Sequence, residues 1–76
     1  MIIERTNLPG LGVRHAFTTE QGHRIAVIEY RVGDRRDLVH DDPNDPDGTI
    51  ALTLTPAEAS ALATLLGFPE LAAVPA

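Results

Sequence analysis

Thr49-Ile50-Ala51-Leu52-Thr53-Leu54-Thr55-Pro56-Ala57-Glu58-Ala59-Ser60-Ala61-Leu62-Ala63-Thr64-Leu65-Leu66-Gly67 changes its period partway along. From Thr49 to Leu54 polar and apolar residues alternate, the pattern of a strand with Ile50, Leu52 and Leu54 facing inward and Thr49, Ala51 and Thr53 outward. From Thr55 the spacing becomes helical, and Ala59, Leu62, Ala63 and Leu66 form one stripe. Thr55 and Glu58 fit a capping box, each side chain within reach of the other's amide. Pro56 suits the first helical position because its missing N–H would be unpaired there anyway. Gly67 can end the helix in a left-handed conformation, and Pro69 prevents resumption. Phe68 and Leu71 are expected to pack back on the sheet.

Four more strands are expected upstream of this strand and helix. Ile2 to Leu8 is a first strand, broken by Pro9-Gly10-Leu11-Gly12. Val13 to Thr19 is a second, with Val13, His15, Phe17 and Thr19 on one face. Glu20 to His23 is a turn. Arg24 to Arg31 is a third strand, apolar on both faces: Ile25 and Val27 on one, Ala26, Ile28 and Tyr30 on the other. Such a strand is usually covered twice. Gly33-Asp34 suits a two-residue hairpin turn. Arg36 to Asp41 is then a short polar strand near an edge, and Asp42 to Gly48 a loop. The expected fold is α+β: a small antiparallel sheet of four or five strands followed by one C-terminal helix. One short helix covers only one face, so the sheet either curls into a partial barrel or is covered by another chain or domain.

The chain has 76 residues, enough for one domain, and no cysteine, so neither a disulfide nor a thiolate metal site is available. Stability must come from one compact core or from a partner. The charge is −5 but uneven: all six basic residues are arginines before Asp37, and every acid from Asp37 onward is unopposed by a base. The acidic half disfavours nucleic acid and anionic lipid and favours a basic protein surface. Cytoplasmic loops of membrane proteins are such surfaces. No stretch approaches the roughly 20 apolar residues of a membrane span, and Met1-Ile2-Ile3-Glu4-Arg5 does not open a signal peptide. Direct membrane insertion is therefore not expected.

The acidic run Asp41 to Asp47 invites a calcium reading, and it fails. With Gly48 as the sixth position of an EF-hand loop, Pro43 falls at the first and Leu54 at the twelfth, where ligands are required. A turn stiffened by two prolines is the simpler account. His15, His23 and His40 have no ligand spacing. His23 is expected on the surface, and His15, on the face of Val13 and Phe17, in a core or cleft. His40 precedes Asp41 and Asp42, and histidine changes charge nearest neutral pH; it is the expected pH-sensing residue. Ser60 is the only serine and has no base nearby in sequence. Leu8 to Gly12 lacks the Lys-Ser/Thr of a phosphate loop. No catalytic residue, metal ligand or cofactor site is assigned. An enzyme using His15 or His40 as a base at an oligomer interface is the weakest reading.

Two segments resemble a known family when taken in order. They are Leu8-Pro9-Gly10-Leu11-Gly12-Val13-Arg14, and the run from His40-Asp41-Asp42 through Asp45-Pro46-Asp47 to Leu52-Thr53-Leu54-Thr55-Pro56-Ala57-Glu58-Ala59 and Leu62-Ala63-Thr64-Leu65-Leu66-Gly67. Between them lie the Thr19-Glu20-Gln21-Gly22 turn and Gly33-Asp34-Arg35-Arg36. The set resembles the N-terminal domain of KhtT-like regulatory subunits of potassium/proton (cation/proton) antiporters. The resemblance implies a non-enzymatic cytoplasmic domain over residues 1–67, with 68–76 as a tail or the start of a linker. It implies a homodimer that binds a membrane antiporter, lies peripheral to the inner membrane through that partner, and helps control potassium efflux. In that family a second domain follows and holds a cyclic di-adenosine nucleotide; no nucleotide-binding residue carries over here. Asp41, Asp42, Asp45 and Asp47 are the expected docking residues. The competing expectation is a free-standing homo-oligomeric interaction module unrelated to transport.

Overall fold

The computed structural model describes residues 1–67. Five strands, β1 (Glu4–Leu8), β2 (Gly12–Thr18), β3 (Arg24–Tyr30), β4 (Arg36–Asp42) and β5 (Asp45–Leu54), precede one helix, α1 (Pro56–Leu65). The strands form an antiparallel meander in the order β1-β2-β3-β4-β5. The expected α+β architecture is therefore the observed one, as an open sheet and not a partial barrel.

Local chemistry explains the joints. Leu11 N–H donates to Leu8 C=O at 2.9 Å. Pro9 and Gly10 lie between them, Gly10 with φ of +74°. Proline followed by a positive-φ glycine is the signature of a type II turn. At the β2–β3 turn the Gly22 amide donates to Thr19 C=O, and the His23 amide to the Thr19 hydroxyl at 3.0 Å. At the start of α1 both halves of the capping box form: Glu58 N–H to Thr55 Oγ1 at 3.2 Å, and Thr55 N–H to Glu58 Oε1 at 2.8 Å. These bonds hold the Glu58 carboxyl below its ordinary range. Gly67, with φ of +101°, follows the last turn. The expected packing of Phe68 and Leu71, and the stop at Pro69, lie outside the described residues.

Three expectations are corrected. β4 is not at an edge: β5 lies outside it, and Leu38 and Val39 are half-buried. The β3–β4 ladder closes at Glu29↔Arg36, so the connection is longer than the two residues Gly33-Asp34. The expected loop from Asp42 to Gly48 contracts to a tight turn, because two carboxylates do the work of extra backbone. Asp42 Oδ1 accepts from Asn44 N–H at 2.9 Å and Asp45 Oδ1 from Asp47 N–H at 3.1 Å. The ladder shifts register at Asp41/Asp42, and β5 begins at Asp45.

Residues opposite each other in adjacent strands share a face, so the register sorts the sheet into two sides. One side carries Phe17, Ile25, Val27, Leu38, Leu52 and Leu54. The other carries Glu4, Arg14, Arg24, Tyr30, Asp37 and Thr53, with Ala16 opposite Ala26 at its centre. Among the described residues those two alanines, 1% and 2% exposed, are the buried apolar side chains. The apolar run of β3 is thus not covered twice. Its Ala26 side is closed by smallness and near neighbours, while Val27 on the other side is 36% exposed.

Candidate partner-docking surface

Helix α1 lies over the apolar side of the sheet without sealing it. Ala59, Leu62, Ala63 and Leu66, the stripe read from the sequence, face Phe17, Ile25, Val27, Leu38 and Leu54 across a groove of about 460 Å³. No residue of α1 is fully buried. Ile50 and Leu52, expected to face inward, do lie on this side, yet they remain 42% and 56% exposed because α1 does not reach over them. Arg36 lines the groove and pairs with Glu29 at 3.6 Å. Buried apolar area is worth roughly 25 cal/mol per Å², so an open groove of this composition forgoes stabilisation that a second surface could supply.

Ile25 also lines a neighbouring cleft of about 590 Å³, with Thr19, Glu20, His23, His40 and Asp41 around it. Ile25 thus borders both the groove and this cleft, and of the four expected docking residues Asp41 lines the cleft. They are not equivalent. Asp41 Oδ2 accepts from the Arg24 amide at 3.0 Å, which clasps the hairpin to the start of β3. Asp42 and Asp45 cap the turn, as described above. Asp47 accepts no hydrogen bond among the described residues, so its carboxylate is the one most free to meet a partner. His40 is exposed, and its Nδ1 lies 2.9 Å from Asp41 C=O. His23 is exposed too. His15 is not in the core: it is exposed, opposite Arg5 and Val27, and lines a small cleft of about 180 Å³ with Ile3, Phe17, Ile25 and Val27. The described residues contain no group of three or more candidate metal ligands.

The polar side carries two networks that a linear reading missed, since their members come from different strands. Arg24 pairs with Glu4 and donates to Thr18 Oγ1 at 3.3 Å, tying β1, β2 and β3 together. Tyr30 and Thr53 both donate to the Asp37 carboxylate, at 2.5 and 2.7 Å, tying β3, β4 and β5. Pairing register was the only signal that could have found them. The Tyr30 bond, then the Thr53 bond, holds the Asp37 carboxyl below its ordinary range, while the same contact pushes the Tyr30 hydroxyl up. A carboxyl that binds its proton more weakly when folded stabilises the fold above the unfolded pKa, about 4, and loses that contribution as pH falls through its lower folded value. The midpoint of thermal unfolding should therefore drop below about pH 4, and drop less for Asp37→Asn. Melting curves from neutral to strongly acidic pH check this; parallel profiles for the two proteins would contradict it.

Residues 1–70 match the family described as the K(+)/H(+) antiporter subunit KhtT, N-terminal domain, and the chain belongs to that family. It is also similar to the ammonium/H(+) antiporter subunit AmhM of Alkalihalophilus pseudofirmus, 32% identical over 68 residues, which cover 88% of this chain and 41% of that protein. The chain thus spans about two-fifths of the length of this curated relative. No helix among the described residues is long and apolar enough to cross a membrane.

Proposed function

We propose that this chain docks on a membrane cation/proton antiporter from the cytoplasmic side and helps regulate its potassium efflux. The observation that carries the reading is the open groove between α1 and the sheet, joined at Ile25 to a cleft that Asp41 lines, in a domain that belongs to an antiporter-subunit family. The groove supplies apolar area, and Asp41, Asp42, Asp45 and Asp47 supply charge against the Lys- and Arg-rich loops of a transporter. Residues 1–67 are the proposed docking domain, with 68–76 the proposed tail or start of a linker. No residue is assigned to catalysis, and no cofactor to this domain. His40, exposed beside the hairpin, is the proposed reader of pH; its removal to alanine should flatten the pH response of transport.

Co-purification with the candidate antiporter tests the reading. The four aspartates should be replaced by asparagine, which keeps an oxygen for the turn and for the Arg24 amide. The wild-type chain is expected to be retained by the antiporter. The neutralised variant should be lost from it, and the wild-type complex should weaken as salt screens the charges. Retention of neither protein would overturn antiporter docking. Equal retention of both would overturn the role of the acids.

A further inference from the structure

We propose that β5 is a self-pairing edge: two copies of this chain join their β5 strands antiparallel, about a twofold axis passing between their two Ala51 residues. The contact needs only this chain, so it stands or falls apart from antiporter docking.

The two edges of the sheet are built differently. β1 is five residues long and carries Glu4 and Arg5, the short charged kind of edge that resists pairing. β5 is ten residues long, and from Gly48 to Thr55 it has neither a charge nor a proline. Every residue from Thr49 to Thr53 is exposed. Half of the backbone N–H and C=O groups of such a strand point outward with no strand beyond, a template for pairing.

The sequence of this edge is also its own complement. Thr49-Ile50-Ala51-Leu52-Thr53 reads alike in both directions: hydroxyl, large apolar, small, large apolar, hydroxyl. Rotation by half a turn at Ala51 sets Ile50 against the second copy's Leu52 and Thr49 against its Thr53. Both are favourable cross-strand pairs. An axis on a residue keeps the faces matched, so Ile50 and Leu52, 42% and 56% exposed in one chain, cover each other on the groove side. Asp47 falls opposite Thr55, and no acids meet. The two apolar sides become one continuous surface, and a closed twofold contact of this kind does not propagate into fibres.

The chain has no cysteine, so single cysteines report without background. The wild-type chain is expected to elute, by light scattering, at twice the 8.2 kDa of one copy. Ala51→Cys should cross-link under mild oxidation, because the two β-carbons lie about 5 Å apart across the axis. Thr6→Cys, on β1, should not. Ala51→Lys should be monomeric with an unchanged far-ultraviolet circular dichroism spectrum. A monomeric wild type, cross-linking through position 6 in preference to 51, or an Ala51→Lys variant that stays dimeric would each overturn the proposal.

Discussion

Gly12→Ala is expected to leave the domain largely unfolded. Gly12 stands opposite Tyr30 in the β2–β3 ladder, where the two backbones approach closely. A β-carbon there would lie 2.0 Å from the Glu29 carbonyl oxygen, 2.9 Å from its carbon and 3.0 Å from Tyr30 Cα. All three obstacles are backbone, so no side-chain rotation relieves the clash, and β2 must part from β3. Crowding into a tight site costs about 1–3 kcal/mol when side chains can yield; here the upper end is the starting point. A domain of this size has only about 4–11 kcal/mol in hand, and among the described residues two small alanines make up the fully buried apolar core. Gly10→Ala makes the useful contrast. Its φ of +74° is strained for alanine, but nothing lies within 4 Å of the new atom, so a loss of about 1 kcal/mol is expected. Thermal melts by circular dichroism separate the two. A Gly12→Ala melting point within a few degrees of wild type would mean that the approach of the strands is not what requires glycine.

The second large effect is on binding. Leu62→Glu places a carboxylate in the middle of the groove wall formed by α1. Glutamate is a good helix former, the capping box lies a turn away, and Leu62 is only half-buried, so helix and sheet should survive. An apolar anchor at the centre of an interface is typically worth 2–4 kcal/mol, a loss of roughly 30- to 1,000-fold in affinity. Antiporter affinity should fall by that order while the circular dichroism spectrum stays the same. An unchanged affinity would move the docking surface away from the groove. Because the hairpin is untouched in this variant, the groove and the acids are judged separately.

How far the sequence carried is clear from particular residues. The helix was legible to its caps, because Thr55, Pro56, Glu58 and Gly67 act on their own backbone neighbours. The meander was legible because Gly10 and Gly22 punctuate it and Thr49 to Leu54 alternate cleanly. The β4–β5 connection was misjudged because Asp42 and Asp45 tighten it with side-chain bonds that composition alone reads as a loop. β4 looked like an edge because Arg36, Asp37, His40 and Asp41 are polar; Asp37 is spent on Tyr30 and Thr53, partners that only the register brings near. His15 was expected in a core or cleft because its face is apolar, and it lines a small cleft while staying exposed. That face is apolar, but α1 is too short to cover its β1 side. The acidic hairpin and the helix stripe were both visible in the sequence; that Ile25 borders both the groove under the stripe and a cleft lined by Asp41 was not.

A helix joined to its sheet by a well-made hinge at Thr55, yet with no fully buried residue, is the weakest link of a series. Tension on the chain past Gly67 would reach α1 first, and the helix would peel away from Phe17 and Leu38 before any strand parted from its neighbour. A small pulling force could thus be converted into a change in how much of the groove is available, with the sheet serving as the fixed anvil.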